Sequence, residues 1–297
     1  MKKDLSQTVT DTIIKDLEFG IRPWMQPWIV GGESGQLNRP LRANGEAYRG
    51  INVLMLWGSA AENGFSSPTW MTFKQAQDMG AHVRKGERGT MVVYAGTLTR
   101  TEMNEQTGEE SERGIPFLKS YTVFNADQVE GLPAQYVKPA FTILDPDQRI
   151  AQAERFVTAT GADVHHGGAM AFYQPDRDMV QMPAFEAFHS AEGYYSTMLH
   201  ELTHWTRHKS RLDRSFGRQR WGDEGYAAEE LVAELGAAFL CADLQITPTI
   251  RKDHAAYIGT WLQVLKNDKR AIFTAASYAQ KAADYLLGLQ KSKEDAA

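Results

Sequence analysis

Apolar positions at Val9, Ile13, Ile14 and Leu17 recur every three to four residues, which predicts an amphipathic helix over residues 4–19. Residues 20–28 (GIRPWMQPW) end it, because Pro23 and Pro27 fix φ and push the residues before them out of the α conformation. Residues 46–63 (EAYRGINVLMLWGSAAEN) read as a second helix and 74–79 as a short third. After a turn at 86–89, the Val- and Thr-rich run 90–98 predicts a strand, with 117–124 as its partner. The polar stretch 99–114 between them contains Asn-Glu-Gln-Thr-Gly and reads as a hairpin loop or mobile excursion. Gly131, Pro133, Pro139 and Pro146 punctuate a linker, with a boundary near 135–147. Beyond it the pattern predicts a helix over 148–160 and a ribbon of 170–174 and 179–182 around a turn at 175–178. Helices from about 194 and about 226 follow, then terminal helices near 251–266 and 270–290. The fold class is α+β in two domains, 1–140 and 141–297.

Composition narrows this picture. A chain of 297 residues is long enough for two cores, and 42% hydrophobic with 23% charged residues is ordinary globular usage. No run of about 18 apolar residues exists to span a membrane. The start MKKDLSQTVTDTII has no apolar signal region, so no secretory leader is expected. Cys241 stands alone in an apolar helix, which suits a small core residue in a reducing cytoplasm. The formal net charge of −5 does not by itself point to a nucleic-acid binder. Acids concentrate in 99–114, at Glu102, Glu105, Glu109, Glu110 and Glu112, and this stretch would oppose any cationic patch nearby.

The strongest chemical signal is Met198-Leu199-His200-Glu201-Leu202-Thr203-His204-Trp205, an H-E-x-x-H motif on a helical segment. His200 and His204 are about 6 Å apart along the axis at ~1.5 Å rise per residue, so both rings can reach one Zn²⁺ or another divalent metal in the same site. Glu201 points about 100° away from His200, toward a metal-bound water whose proton it can take as general base. Met198, Leu199, Leu202 and Trp205 make the helix look buried, and buried His and Glu need partners.

A catalytic zinc needs a third protein ligand. His208 continues the spacing but sits about 12 Å from His200 along a helix, too far to share the ion. The apolar helix from about 226 carries Glu229, Glu230 and Glu234. Glu230 and Glu234 share a face, as a ligand and a carboxylate orienting a histidine N–H would. Glu230 is the favoured ligand in a gluzincin-like set, Glu234 the orienting carboxylate, and Glu229 the rival ligand. Tyr226, one turn before Glu230, either adds a hydroxyl to the site or packs. The segment 169–174 alternates small and large residues, which fits either an edge strand that docks an extended peptide or a plain core hairpin.

Aromatics and cations interleave in the first half, as in surfaces that bind single-stranded nucleic acid by base stacking and phosphate pairing. Trp24, Trp28, Tyr48 and Trp70 are the stacking candidates, and Arg39, Arg42, Arg49, Arg84, Lys85 and Arg88 the phosphate-binding ones. Tyr48 and Arg49 fall in the second predicted helix, so only one of them need face a groove.

Both halves resemble the ArdC antirestriction family of conjugative plasmids and the related plasmid TraC proteins. The N-terminal resemblance rests on TDTIIKDLEFGIRPWMQPW, YRGINVLMLW, SSPTWMTFKQAQDMGAHVRKGERGT and YTVFNADQVEGLP. The C-terminal one rests on MLHELTHWTRH, WGDEGYAAEELVAELGAAFLCADL and the helix start at 257–262. The resemblance implies an N-terminal domain that binds single-stranded DNA and a C-terminal zincin-like metallopeptidase domain. It further implies protection of incoming DNA from host restriction, with a protein of the host restriction machinery as substrate. Arg207 departs from the family, where a glycine is expected, and suggests that the motif helix continues past it. Two rival readings are a zinc peptidase whose first domain recognises protein, and a DNA-binding protein whose metal is structural. Glu201 speaks against the second rival, because a structural site has no use for a general base.

Overall fold

The computed structural model describes residues 4–25, 38–103, 110–137, 145–217, 223–248 and 254–294. Trp28, the tip 104–109 of the acidic stretch and residues 138–144 of the predicted linker lie outside them.

Helix α1 (Leu5–Glu18) is capped by Asp4, whose carboxylate accepts the Gln7 N–H at 3.2 Å, and it buries Val9, Ile13 and Leu17. β1 (Leu41–Arg42) precedes α2 (Ile51–Asn63). The second helix therefore starts later than its pattern suggests. Ala47 bridges to Leu41 and the Tyr48 N–H bonds the Pro40 carbonyl, so both residues are held extended. β2 (Thr69–Met71), α3 (Phe73–Asp78) and β3 (His82–Val83) follow, α3 opening on a capping box between Thr72 and Gln75.

β4 (Thr90–Met103) and β5 (Glu110–Asn125) pair antiparallel from Thr90↔Val123 to Met103↔Glu110. The outer parts of the predicted loop are thus strand, and only its tip falls outside the ladder. Threonines at 97, 99 and 101 along β4 favour an extended chain over a loop. The four-stranded sheet runs β1-β2-β5-β4, and β3 pairs with β6 (Val129–Glu130). A short α4 (Ala134–Val137) comes next.

Asp145 and Pro146, read in sequence as linker, instead start α5 (Pro146–Thr160): Asp145 is the cap in a box with Gln148, and the proline sits where no N–H partner exists. A three-stranded sheet of β7 (Asp163–His166), β8 (Phe172–Gln174) and β9 (Met179–Met182) follows. β9 is central, parallel to β7 and antiparallel to β8. The motif lies on α6 (Ala191–Trp205), capped by Ser190. The expectation that this helix runs on past Arg207 is corrected: it stops at Trp205. The Arg207 N–H bonds the His204 carbonyl and the Arg214 N–H bonds the Arg207 carbonyl, folding the chain back. α7 (Glu224–Leu244), α8 (His254–Asn267) and α9 (Ala271–Glu294) complete the order.

One continuous apolar core runs through both halves. Trp24 of the first half meets Trp261 edge-on at 6.3 Å, and Trp57 meets Phe239 at 5.9 Å. Each such side chain contributes about 1.5–3 kcal/mol on burial, so the halves stabilise each other. No helix among the described residues is long and apolar enough to cross a membrane.

Candidate metal centre and its neighbours

α6 places His200 and His204 one turn apart, with ring centroids 4.8 Å from each other. α7 crosses close against it at Gly236, where an added Cβ would stand 2.5 Å from Thr203 Cγ2. Only glycine allows that approach, and it brings the Glu230 carboxylate within reach of both rings. Glu230 Oε2 lies 3.5 Å from His200 Nε2, and Oε1 lies 3.5 Å from His204 Nε2. The three donors offer atoms within 4.8 Å of one another, two imidazole nitrogens and one carboxylate, which is the ligand chemistry of a catalytic zinc-type site.

Around these donors the surroundings are charged and ordered. Glu229, the sequence rival for third ligand, turns to the other side of His204 and bonds its Nδ1 at 3.0 Å. Arg214 clamps Glu229 with Nε to Oε2 at 2.8 Å and Nη2 to Oε1 at 2.7 Å, and also bonds the Thr203 carbonyl. Burial alone would raise the Glu229 pKa, but hydrogen bonds from Arg214 and His204 outweigh it and hold it down at about 2. Burial likewise opposes ionisation of Glu230, whose pKa the His204 charge nonetheless keeps far below the usual carboxylate range. His204 responds in the opposite sense: burial would lower its pKa, while the Glu230 charge and the Glu229 hydrogen bond carry it up to about 10. Glu234 stands behind His200, with Oε2 3.8 Å from Nδ1, and its Oε1 accepts the Trp24 indole N–H at 3.3 Å.

A cleft of about 700 Å³ opens in front of the donors, with Glu201 on its wall beside His200. Tyr226 and Tyr257 face it, their hydroxyls 3.2 Å apart. Burial, then the nearby Glu230 charge, raises the Tyr226 pKa, so its hydroxyl stays protonated and able to donate. Met170, Phe172 and Tyr173 line the opposite wall. That wall is braced to the loop after α6: Arg211 bonds Asp178 at 2.9 Å, stacks 3.7 Å over Trp205, and shares Asp178 with Tyr173. β8 ends its sheet, and its outer edge pairs with no strand among the described residues. His208, set aside on spacing, lies outside the donor group and bonds Ser210 at 2.8 Å.

The sequence reading missed Arg214, which comes from an irregular loop and carries no periodic signal. Tyr257 also went unassigned, because its helix looked like ordinary terminal packing.

Arg39, Arg42, Tyr48 and Arg49 line one cleft of about 480 Å³ away from the other N-terminal candidates, and burial corrects three stacking candidates. Trp24 and Trp70 are at most 1% exposed and Tyr48 8%, so none presents a ring face to a base. They fill the shared core, which the halves could not reveal separately. Arg39 is corrected for the same reason. It is buried, forks onto Asp243 at 3.0 and 3.1 Å, bonds Gln280, and lies 4.4 Å over the Phe239 ring. Arg49 pairs with Asp284 of α9. Arg42, Arg84, Lys85 and Arg88 stay on the surface, with Arg42 on Glu46 at 3.3 Å and Arg84 on Glu87 at 2.7 Å.

Two families match the two halves: the N-terminal domain of anti-restriction factor ArdC over residues 3–124, and a zincin-like metallopeptidase over 151–278. An uncharacterised protein of Sinorhizobium fredii, y4eC, is 42% identical over 296 residues, covering 98% of this chain and 94% of its own. The Escherichia coli DNA primase TraC is 37% identical over 99% of this chain, which spans only 28% of that protein. Among solved structures, the metal-free antirestriction ArdC protein from plasmid R388 superposes with a TM-score of 0.81 at 50% identity, over 97% of this chain and 98% of that one. The Mn(II)-bound form of the same protein gives 0.79 at 48%, over 96% and 98%. With both domains matched and a 50% identical structure spanning nearly the whole chain, this protein belongs to the ArdC antirestriction family.

Proposed function

We propose that this protein binds single-stranded DNA through its N-terminal half and cleaves peptide bonds at a divalent-metal centre, protecting incoming DNA from host restriction. The observation that carries the hydrolytic reading is the convergence of His200, His204 and Glu230 at the mouth of an open cleft with Glu201 on its wall. A merely structural metal needs neither an open side nor an adjacent base. The Mn(II) bound by the R388 protein supports a divalent ion at this donor set.

When bound, the ion supplies Lewis-acid polarisation and makes water more acidic. The rest falls to the chain's own residues. Glu201 takes the proton of the attacking water and passes it to the leaving amine. Glu229, held by Arg214, fixes the His204 ring from behind, and the Glu234 carboxylate stands 3.8 Å behind His200 Nδ1. The hydroxyls of Tyr226 and Tyr257 are placed to donate to an oxygen that gains charge in the cleft. The free edge of β8 offers backbone pairing to an extended peptide, and the aromatic wall takes apolar side chains. A protein of the host restriction machinery is the substrate class this reading implies.

Metal analysis combined with cleavage of a fluorogenic peptide mixture tests it. Glu201→Gln is expected to keep one equivalent of metal and the fold while losing cleavage. His200→Ala is expected to lose both metal and cleavage. Unchanged cleavage in Glu201→Gln sinks the assignment of the base, and full metal retention in His200→Ala sinks the site.

A further inference from the structure

The outer half of the β4–β5 ribbon projects beyond the rest of its sheet, and its β4 residues on both faces from 94 to 101 are exposed except Gly96. Its register sorts the side chains. Pairs Val92↔Tyr121, Tyr94↔Lys119, Gly96↔Phe117 and Leu98↔Ile115 fall on one face together with Arg100, because residues directly opposite each other share a side. Thr97, Thr99, Thr101, Ser120 and Glu112 fall on the other. From Val92 to Arg100, aromatic and cationic residues thus share a stripe, while Glu112 falls on the other face.

The stripe is built rather than incidental. Tyr94 and Tyr121 are 56% and 50% exposed. Phe117 lies across Gly96, where an added Cβ would meet its ring at 2.6 Å, and sits 5.9 Å from the Tyr94 ring. Lys119 Nζ stands 5.1 Å over Phe117. Same-face positions repeat every ~6.6 Å along a strand, about twice the ~3.4 Å repeat of stacked bases in a duplex strand. Successive bases reach successive rings only if the strand is unstacked and extended.

We infer that this stripe, with Tyr94 and Tyr121 as stacking platforms and Lys119 and Arg100 as phosphate contacts, is where single-stranded DNA binds. The inference rests on the single-stranded DNA reading above and replaces Trp24, Tyr48 and Trp70 with exposed rings on a projecting arm.

Fluorescence anisotropy of labelled oligothymidylate with the full-length protein tests it. Tyr94→Ala and Tyr121→Ala are each expected to weaken binding about five- to hundredfold, the range for losing one base–aromatic stack. Lys119→Gln should flatten the salt dependence by about 0.7 in log–log slope. Thr97→Ala and Ser120→Ala on the opposite face should change nothing, and duplex of the same sequence should bind more weakly. All four alanine sites are exposed, and unchanged circular dichroism confirms that the variants fold. If the wild type binds no oligothymidylate, the DNA reading itself falls. If it binds and both tyrosine variants bind equally well, the reading stands and the arm is not the site, leaving it to a protein partner.

Discussion

The indole N–H of Trp24 donates to Glu234 Oε1 at 3.3 Å, and the other oxygen of the same carboxylate lies 3.8 Å from His200 Nδ1. A residue from the N-terminal half therefore stands two contacts from the metal centre. Partners behind ligating histidines are typically worth about 10–100-fold in metal affinity or activity. Trp24→Phe keeps an aromatic ring against Trp261 but removes the donor. It is expected to weaken metal binding about tenfold, measured by competition with a chromophoric chelator. Unaltered affinity would show that Glu234 is held without the indole.

Two adjacent acids should fail in different ways. Glu230→Gln removes a donor carboxylate, so metal binding is lost while the fold persists. Glu229→Gln leaves the three donors in place but strips the buried Arg214 of its carboxylate, at a cost of about 3–5 kcal/mol in urea unfolding. If Glu229→Gln abolishes metal binding and Glu230→Gln does not, their roles are exchanged.

The same pair sets an acid limit. The folded Glu229 pKa lies below its unfolded value: burial raises it, but Arg214 and His204 lower it further, to about 2. A depressed carboxylate stabilises fully above its unfolded pKa of ~4.3, and that stability fades as pH falls toward the folded value. Unfolding midpoints of metal-free wild type should therefore drop between about pH 5 and pH 2 more steeply than those of Glu229→Gln. Parallel curves would remove Glu229 from the acid response.

What the sequence disclosed follows from which signals are local. His200, Glu201 and His204 lie on one helix turn, so their relation is legible from spacing alone. The pairing of Glu230 with them required only that a second acidic, apolar helix pack nearby. Arg214 was illegible because its meeting with Glu229 depends on how an irregular loop folds back after Trp205. Trp24, Trp70 and Tyr48 misled for a different reason: an aromatic beside arginines looks the same in sequence whether it lines a groove or fills a core. The acidic stretch misled at its flanks, since its polar run with Asn-Glu-Gln-Thr-Gly suggested a loop throughout while the threonines along β4 carried the strand.

Cys241 gives a clean probe of the core. It is fully buried on α7, and burial pushes its thiol pKa up to about 12. Thiolate is the reactive form, so the native protein should not react with a disulfide reagent at pH 8 over the time in which urea-unfolded protein reacts completely. Rapid native labelling would mean that α7 opens locally near the metal centre.

The shared core makes a prediction about separating the halves. A fragment of residues 1–140 would expose Trp24 and Trp57, which meet Trp261 and Phe239 of the second half. It would also strand Arg39, buried against Asp243 and Gln280. Each exposed aromatic forfeits about 1.5–3 kcal/mol of burial, against a typical total domain stability of only ~5–15 kcal/mol. The fragment is expected to bind a hydrophobic dye and to melt without a sharp transition, while the intact chain melts cooperatively. Calorimetry and dye fluorescence on both proteins check this. A sharp melt of the fragment would show that the β2–β5–β4 sheet and α2 hold a core of their own, and the N-terminal half would then count as an independent folding unit.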